Sequence, residues 1–205
     1  MVQKFALLLS FLFQPLLIPT LIFLFLIFGV PEVSASQFYN QWIILFMVFL
    51  TTFMIPALSI LSMKLTGNIS SVHLYDKEER VFPFSMVSLF YVISTYLFYL
   101  KFQIEPVFIL TLGCITICVI ILTSITFFWK ISAHMTAISG FLAIIIAIAL
   151  KNQGLNLLYI MLAVIILSGI IASSRLYLNA HDPMEIFGGF LLGFSICFSG
   201  FFLYL

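Results

Sequence analysis

The sequence predicts an all-α polytopic membrane protein, a bundle of about six to seven transmembrane helices. Three observations carry this. Hydrophobic residues make up 64% of the 205 and charged residues only 7%, far from the balance of a water-soluble domain. Apolar runs of about 16 to 24 residues recur along the chain, against the ~17–25 residues that a spanning helix needs. These runs are too long and too uniform for the alternating strands of a barrel, and backbone groups in lipid must be satisfied within the segment. Net charge is +1, so there is no basic field to attract nucleic acid. The three cysteines, Cys114, Cys118 and Cys197, all sit inside apolar runs and read as packing residues, without disulfide or metal spacing.

The first run, Phe5 to Phe28, follows Lys4 and is longer than a signal-peptide core of ~7–15 residues, so it reads as a retained span, kinked at Gln14, Pro15 and Pro19. The second goes from Trp42 to Met63 with Pro56 inside. A polar stretch, Lys64 to Pro83, separates it from the third run, Phe84 to Leu100. The fourth, Val107 to Trp129, ends at Lys130-Ile131-Ser132-Ala133-His134. The fifth, Met135 to Leu150, is long enough to span if it starts at a Ser132 cap. The sixth is Leu155 to Ala172 and the seventh Ile186 to Leu205, where Gly189 and Gly193 form a small-xxx-small pair for close helix packing. The expectation is one membrane domain over 1–205, with 1–63 the first two helices, 64–83 the polar loop, and 84–205 the remaining helices.

Between the sixth and seventh runs lies the most informative stretch. Residues 175–185 hold Arg175, His181, Asp182 and Glu185 in a chain otherwise poor in charge. Ionisable groups beside spanning segments are costly and mark function first. Asp182 suits a helix N-cap, Pro183 the first helical position and Glu185 the third, so the stretch also reads as a capping box. A helix start offers unpaired N–H groups and favours anions such as phosphate.

Charged clusters follow the second, fourth and sixth runs, and every even-numbered exit returns to the side of the N-terminus. Parity therefore gathers Lys77/Arg80, Lys130/His134 and Arg175/His181/Glu185 at one membrane face. The full set there is His73, Lys77, Arg80, Lys130, His134, Arg175 and His181 with Asp76, Glu78, Glu79, Asp182 and Glu185. Guanidinium and ammonium groups match phosphate oxygens. Two histidines can divide nucleophile and general acid, and a carboxylate beside one of them fixes its tautomer. That set suffices for phosphoryl transfer without a metal or other cofactor. Plainer readings exist beside it: Ser132 as a helix cap, Lys130 as an interface snorkeller, His73 as a loop residue.

In order along the chain these residues read Lys-x-x-Arg-x-x-Pro, Ser-Ala-His, and Ser-Arg-x5-His-x3-Glu. This resembles the type 2 phosphatidic acid phosphatase family of integral-membrane lipid phosphatases, whose fold is related to vanadium haloperoxidases and whose motifs are roughly Lys-x6-Arg-Pro, Pro-Ser-Gly-His and Ser-Arg-x5-His-x3-Asp. The third motif matches best, with Ser174-Arg175, His181 and Glu185. Ile131 and Ala133 replace the Pro and Gly of the second, and Arg80 is separated from Pro83 by Val81 and Phe82 rather than standing beside a proline. The resemblance implies a haloperoxidase-like active-site core. It makes His181 the nucleophile that forms a phospho-histidine, Glu185 its orienting carboxylate and His134 the general acid. It makes Arg175, Ser132 with the neighbouring Ala133 amide, Lys77 and Arg80 the phosphate ligands.

The expected function is hydrolysis of a lipid phosphomonoester or diphosphate in the bacterial inner (plasma) membrane, with a lipid phosphate and the surrounding lipids as partners. The alternatives are transfer of the phosphoryl or head group by the same site, or a non-enzymatic membrane protein whose polar islands are structural caps. Sidedness stays open. Six Lys and Arg at the site face against two opposite set it in the cytoplasm by the positive-inside rule, whereas the resemblance implies an outward-facing site.

Overall fold

A computed structural model describes residues 2–34, 41–67, 77–102 and 104–205. His73 and Asp76 lie outside them, and of Lys77, Glu78 and Glu79 only the backbone is described. The described residues are 86% helix and include no strands. In order it forms α1 (Val2–Leu12), a 3-10 turn (Pro15–Leu17), α2 (Ile18–Leu24), a π turn (Phe25–Gly29), α3 (Pro31–Ser34), α4 (Gln41–Phe49), a second π turn (Leu50–Met54), α5 (Ile55–Leu65), α6 (Lys77–Lys101), α7 (Pro106–Thr126), α8 (Ala133–Lys151), α9 (Leu158–Tyr177) and α10 (Pro183–Tyr204). Seven helical segments among the described residues are long and apolar enough to cross a bilayer. The first, second and third runs differ in detail from their sequence reading.

The first run is broken where Gln14 turns extended (φ −64°, ψ 145°) ahead of Pro15, as a residue preceding proline is pushed to do. The second run passes Pro56 through the π turn at Leu50–Met54. Proline has no N–H to return to the carbonyl four residues back, that of Thr52. The buried Tyr91 hydroxyl donates to that carbonyl instead, at 3.1 Å. The third span starts earlier than its apolar run. α6 begins at Lys77 and takes in Pro83, whereas the sequence reading kept 64–83 as a loop. Lys77-Glu78-Glu79-Arg80 are all good helix formers and continue the helix back through Pro83, whose missing amide forfeits one bond to the Glu79 carbonyl.

The chain divides into two compact units, Met1–Ile18 with Ile131–Leu205, and Pro19–Lys130. In the second, α6 and α7 are cross-linked by paired hydroxyls, Ser88 with Thr123 and Thr95 with Thr116, each at 2.7 Å. Phe23 stacks on Phe108 with ring centres 5.3 Å apart.

The first unit holds α1, α8, α9 and α10. α8 is its most enclosed span, with 67% of its apolar window buried against 28% for α9 and for α10. Its partner along most of its length is α10, and the small residues explain why. A side chain on Gly189 would come within 2.5 Å of the Ser132 carbonyl, and one on Gly193 would collide with the Thr136 carbonyl and the Ser139 hydroxyl. One turn on, the seam reverses: Cys197 on α10 fills the space over Gly140 on α8. Beside this seam α10 carries a ladder of stacked rings, Phe190, Phe194, Phe198 and Phe202, with centres 5.3–5.7 Å apart. Lys151, in the last turn of α8, sets its ammonium 4.3 Å over Phe202, favoured both by the ring face and by the negative end of the helix.

The seam makes a sharp expectation. Gly193→Ala should destabilise the protein by about 1–3 kcal/mol through overpacking. Gly169→Ala, where an added Cβ meets nothing within 4 Å, should be neutral or stabilising. Equilibrium unfolding in mixed micelles measures both, and equal effects of the two would refute the seam.

Candidate active site

α9 ends in a turn that determines where the next polar residues point. Asn179 takes the left-handed conformation (φ 49°). The Ala180 amide donates to the Arg175 carbonyl at 3.1 Å and the Asn179 amide to the Leu176 carbonyl at 2.9 Å. Together these form a Schellman closure, and asparagine is the usual substitute for glycine at its left-handed position. The turn engages the backbone of Arg175 and delivers His181 directly after it. Both side chains are enclosed, Arg175 at 8% and His181 at 6% exposure. A guanidinium buried in a membrane protein is costly and marks an anion site or an internal partner.

α10 starts immediately after. Its capping box is complete: the Asp182 side chain takes the Glu185 amide, and the Glu185 carboxylate takes the Asp182 amide. The oxygen that accepts the Asp182 N–H, Oε2 at 3.2 Å, also lies 2.8 Å from His181 Nδ1. A carboxylate oxygen accepts, so Nδ1 carries the hydrogen and the lone pair is left on Nε2. The capping contact and the contact with His181 thus share one carboxylate oxygen.

α8 starts beside this turn. Ser132 is its N-cap residue. The Ser132 amide donates to the Glu185 carbonyl at 3.2 Å, and its carbonyl accepts from the Thr136 amide at 3.0 Å and the Thr136 hydroxyl at 3.1 Å. Gly189 lets α10 approach closely enough for this. Ser132 is 0% exposed, and its hydroxyl is buried without a hydrogen-bond partner among the described residues. That is an unusual cost for an internal hydroxyl, and a bound anion would relieve it. Ala133 opens the helix, where first-turn amides have no intrahelical acceptor. His134 follows, half-buried, with Nε2 3.1 Å from the Ser10 carbonyl of α1.

The first unit therefore gathers six of the eight sequence-derived site residues at one end of its helices: Ser132, Ala133 and His134 at the start of α8, Arg175 at the end of α9, and His181 and Glu185 at the start of α10. Lys77 and Arg80 belong to the second unit, where Lys77 opens α6 and Arg80 is buried at 4% exposure. Lys130 closes that unit and is half-buried.

This order of elements and residues has a counterpart among known families. Residues 126–204 match the model of the PAP2 superfamily. This segment is similar to that superfamily. Members carry phosphatase or phosphoryl-transfer chemistry on lipid-like substrates, and with seven apolar helices the chain is an integral membrane protein. Every site residue of the first unit named above lies inside the PAP2 segment, while Lys77, Arg80 and α1 precede it. Comparison with curated proteins and with solved structures returned no match.

Two contributors escaped the sequence reading. Asn179 carries a local signal, an asparagine just past an apolar helix and ahead of Asp-Pro, which marks a left-handed helix stop. Ser10 carries none, because its contact with His134 spans 124 positions. The turn is testable. Asn179→Gly should be nearly silent, whereas Asn179→Val, forced into the left-handed region, should cost about 1–2 kcal/mol. Thermal unfolding measures this, and a silent valine variant would refute the turn's role.

Proposed function

We propose that this protein hydrolyses a phosphomonoester or diphosphate carried by a lipid, through a phospho-histidine on His181. The observation that carries the reading is the buried His181–Glu185 pair, 2.8 Å between Nδ1 and Oε2. It leaves the nucleophilic lone pair on Nε2 and sets a negative charge behind the ring that becomes cationic on attack.

In the first step His181 Nε2 forms a bond to phosphorus and the bond to the leaving oxygen breaks. His134, as imidazolium, gives that oxygen its proton and releases the lipid alcohol, or the lipid monophosphate from a diphosphate. In the second step neutral His134 takes a proton from water, the oxygen attacks phosphorus, the P–N bond breaks and phosphate leaves. Glu185 keeps its hydrogen bond to Nδ1–H throughout. Charge on the phosphoryl oxygens is met by the Arg175 guanidinium, the Ser132 hydroxyl and the Ala133 amide at the positive end of α8. For Lys77 and Arg80 the support is the motif order in the sequence alone. No step calls on a metal, so turnover is expected to survive chelator. A lipid substrate is supported by the place of these residues at the ends of helices long and apolar enough to cross a bilayer. Phosphatidic acid, phosphatidylglycerol phosphate, polyprenyl diphosphate and a phosphorylated glycolipid all fit. The proposal keeps the bacterial inner (plasma) membrane as the place of action.

The test is phosphate release by the purified protein from these four lipids. His181→Ala should abolish turnover, Glu185→Ala should leave a residue of it, and His134→Ala should lower it by about 10²–10⁴-fold. Radiolabelled substrate should leave acid-labile, base-stable label on the wild-type protein and none on His181→Ala. Wild-type turnover by His181→Ala would overturn the reading.

A further inference from the structure

The family segment begins at residue 126, yet His134 takes a hydrogen bond partner from the other end of the chain. Its Nε2 lies 3.1 Å from the carbonyl oxygen of Ser10. A backbone carbonyl only accepts, so Nε2 bears a hydrogen in this contact.

The sequence explains why that carbonyl is available. Pro15 drives Gln14 into an extended conformation (φ −64°, ψ 145°), as proline does to the residue before it. α1 therefore stops at Leu12. Ser10 is then among the last four residues of the helix, whose carbonyls have no amide within the helix to bond. α1 is held in place on both sides, packing on α9 directly, while the 3-10 turn that follows it packs on α8. The end of a helix is also the negative end of its dipole, which suits a ring that cycles through a cationic form.

We infer that α1 is a working part of the active site, in which the Ser10 carbonyl holds the His134 ring by Nε2–H and so assigns Nδ1 as the nitrogen that exchanges the proton with the leaving oxygen. Ser10 is a positioning residue, acting through His134. The inference rests on the general-acid role proposed above. The protons balance. The imidazolium holds hydrogen on both nitrogens, passes the one on Nδ1 to the leaving oxygen, and becomes the Nε2–H tautomer that the Ser10 carbonyl stabilises. In the second step Nδ1 takes a proton from water.

A backbone acceptor needs a backbone test. Replacing Phe11 by its α-hydroxy acid turns the Ser10–Phe11 amide into an ester, whose carbonyl is a weaker acceptor. The same exchange at Leu8 alters the Leu7 carbonyl, removes one amide equally, and serves as the control. In full-length protein with ¹⁵N-labelled histidine, neutral His134 should show hydrogen on Nε2, and the Phe11 ester should shift it towards a mixture of tautomers. Weakening one hydrogen bond to a catalytic ring should lower kcat about five- to tenfold, with KM unchanged, relative to the Leu8 ester. Hydrogen on Nδ1 in the neutral wild-type ring, or a Phe11 ester with the kcat and tautomer ratio of the Leu8 ester, would overturn the inference and leave the phosphatase reading standing. Wild-type turnover by His134→Ala would overturn both.

Discussion

A single carboxylate oxygen, Oε2 of Glu185, holds two things in place. It accepts the Asp182 amide, which starts α10, and the Nδ1–H of His181, which fixes the tautomer of a buried imidazole. Helix start and histidine orientation therefore cannot be separated. A chain that forms the capping box has already presented His181 with its lone pair on Nε2. Capping boxes ordinarily serve stability alone. Here the same oxygen lies behind the nitrogen opposite the one that would meet phosphorus, so the geometry of the cap would also preorganise His181 for the proposed attack.

That arrangement needs a platform, and the α8–α10 seam supplies it. The absence of side chains at Gly189 and Gly193 brings α10 against the Ser132 and Thr136 carbonyls, and the Ser132 amide closes the seam at its polar end by donating to the Glu185 carbonyl. The backbone of the second motif is thus hydrogen-bonded to the backbone of the third. In hydrocarbon, where apolar burial between helices gives little driving force, small residues and backbone hydrogen bonds are what hold helices in register. The buried Ser132 hydroxyl sits at that junction.

Much of this was legible in the residues. Asp182-Pro183-x-Glu185 reads as a helix start and Gly189 and Gly193 as a close-packing pair, and both local rules hold; Ser132 takes the N-cap position of α8 but its hydroxyl makes no capping hydrogen bond. The third span is longer than its apolar run because the charged stretch ahead of Phe84, which reads as a polar loop, is itself helical from Lys77. Pro83 is held inside the helix, and the four good helix formers Lys77-Glu78-Glu79-Arg80 carry α6 back to Lys77. The π turn before Pro56 was hidden for a related reason: the orphaned Thr52 carbonyl is rescued by Tyr91, 39 positions away, and hydropathy contains no trace of such a rescue.

By itself, then, the sequence determined the solvent the protein folds in, the helical spans, and the residue types collected near their polar ends, because composition and spacing act within a few turns of chain. Tertiary structure decided which nitrogen of His134 faces an acceptor, whereas for His181 the four-residue spacing to Glu185 already offered the partner. Which nitrogen bears hydrogen depends on the acceptor opposite the ring: for His181 a carboxylate one turn away, and for His134 the carbonyl of a helix that ended early because a proline stood three residues past it. For His134 the acceptor's identity is a property of space rather than of sequence, and only packing brings Ser10 to it.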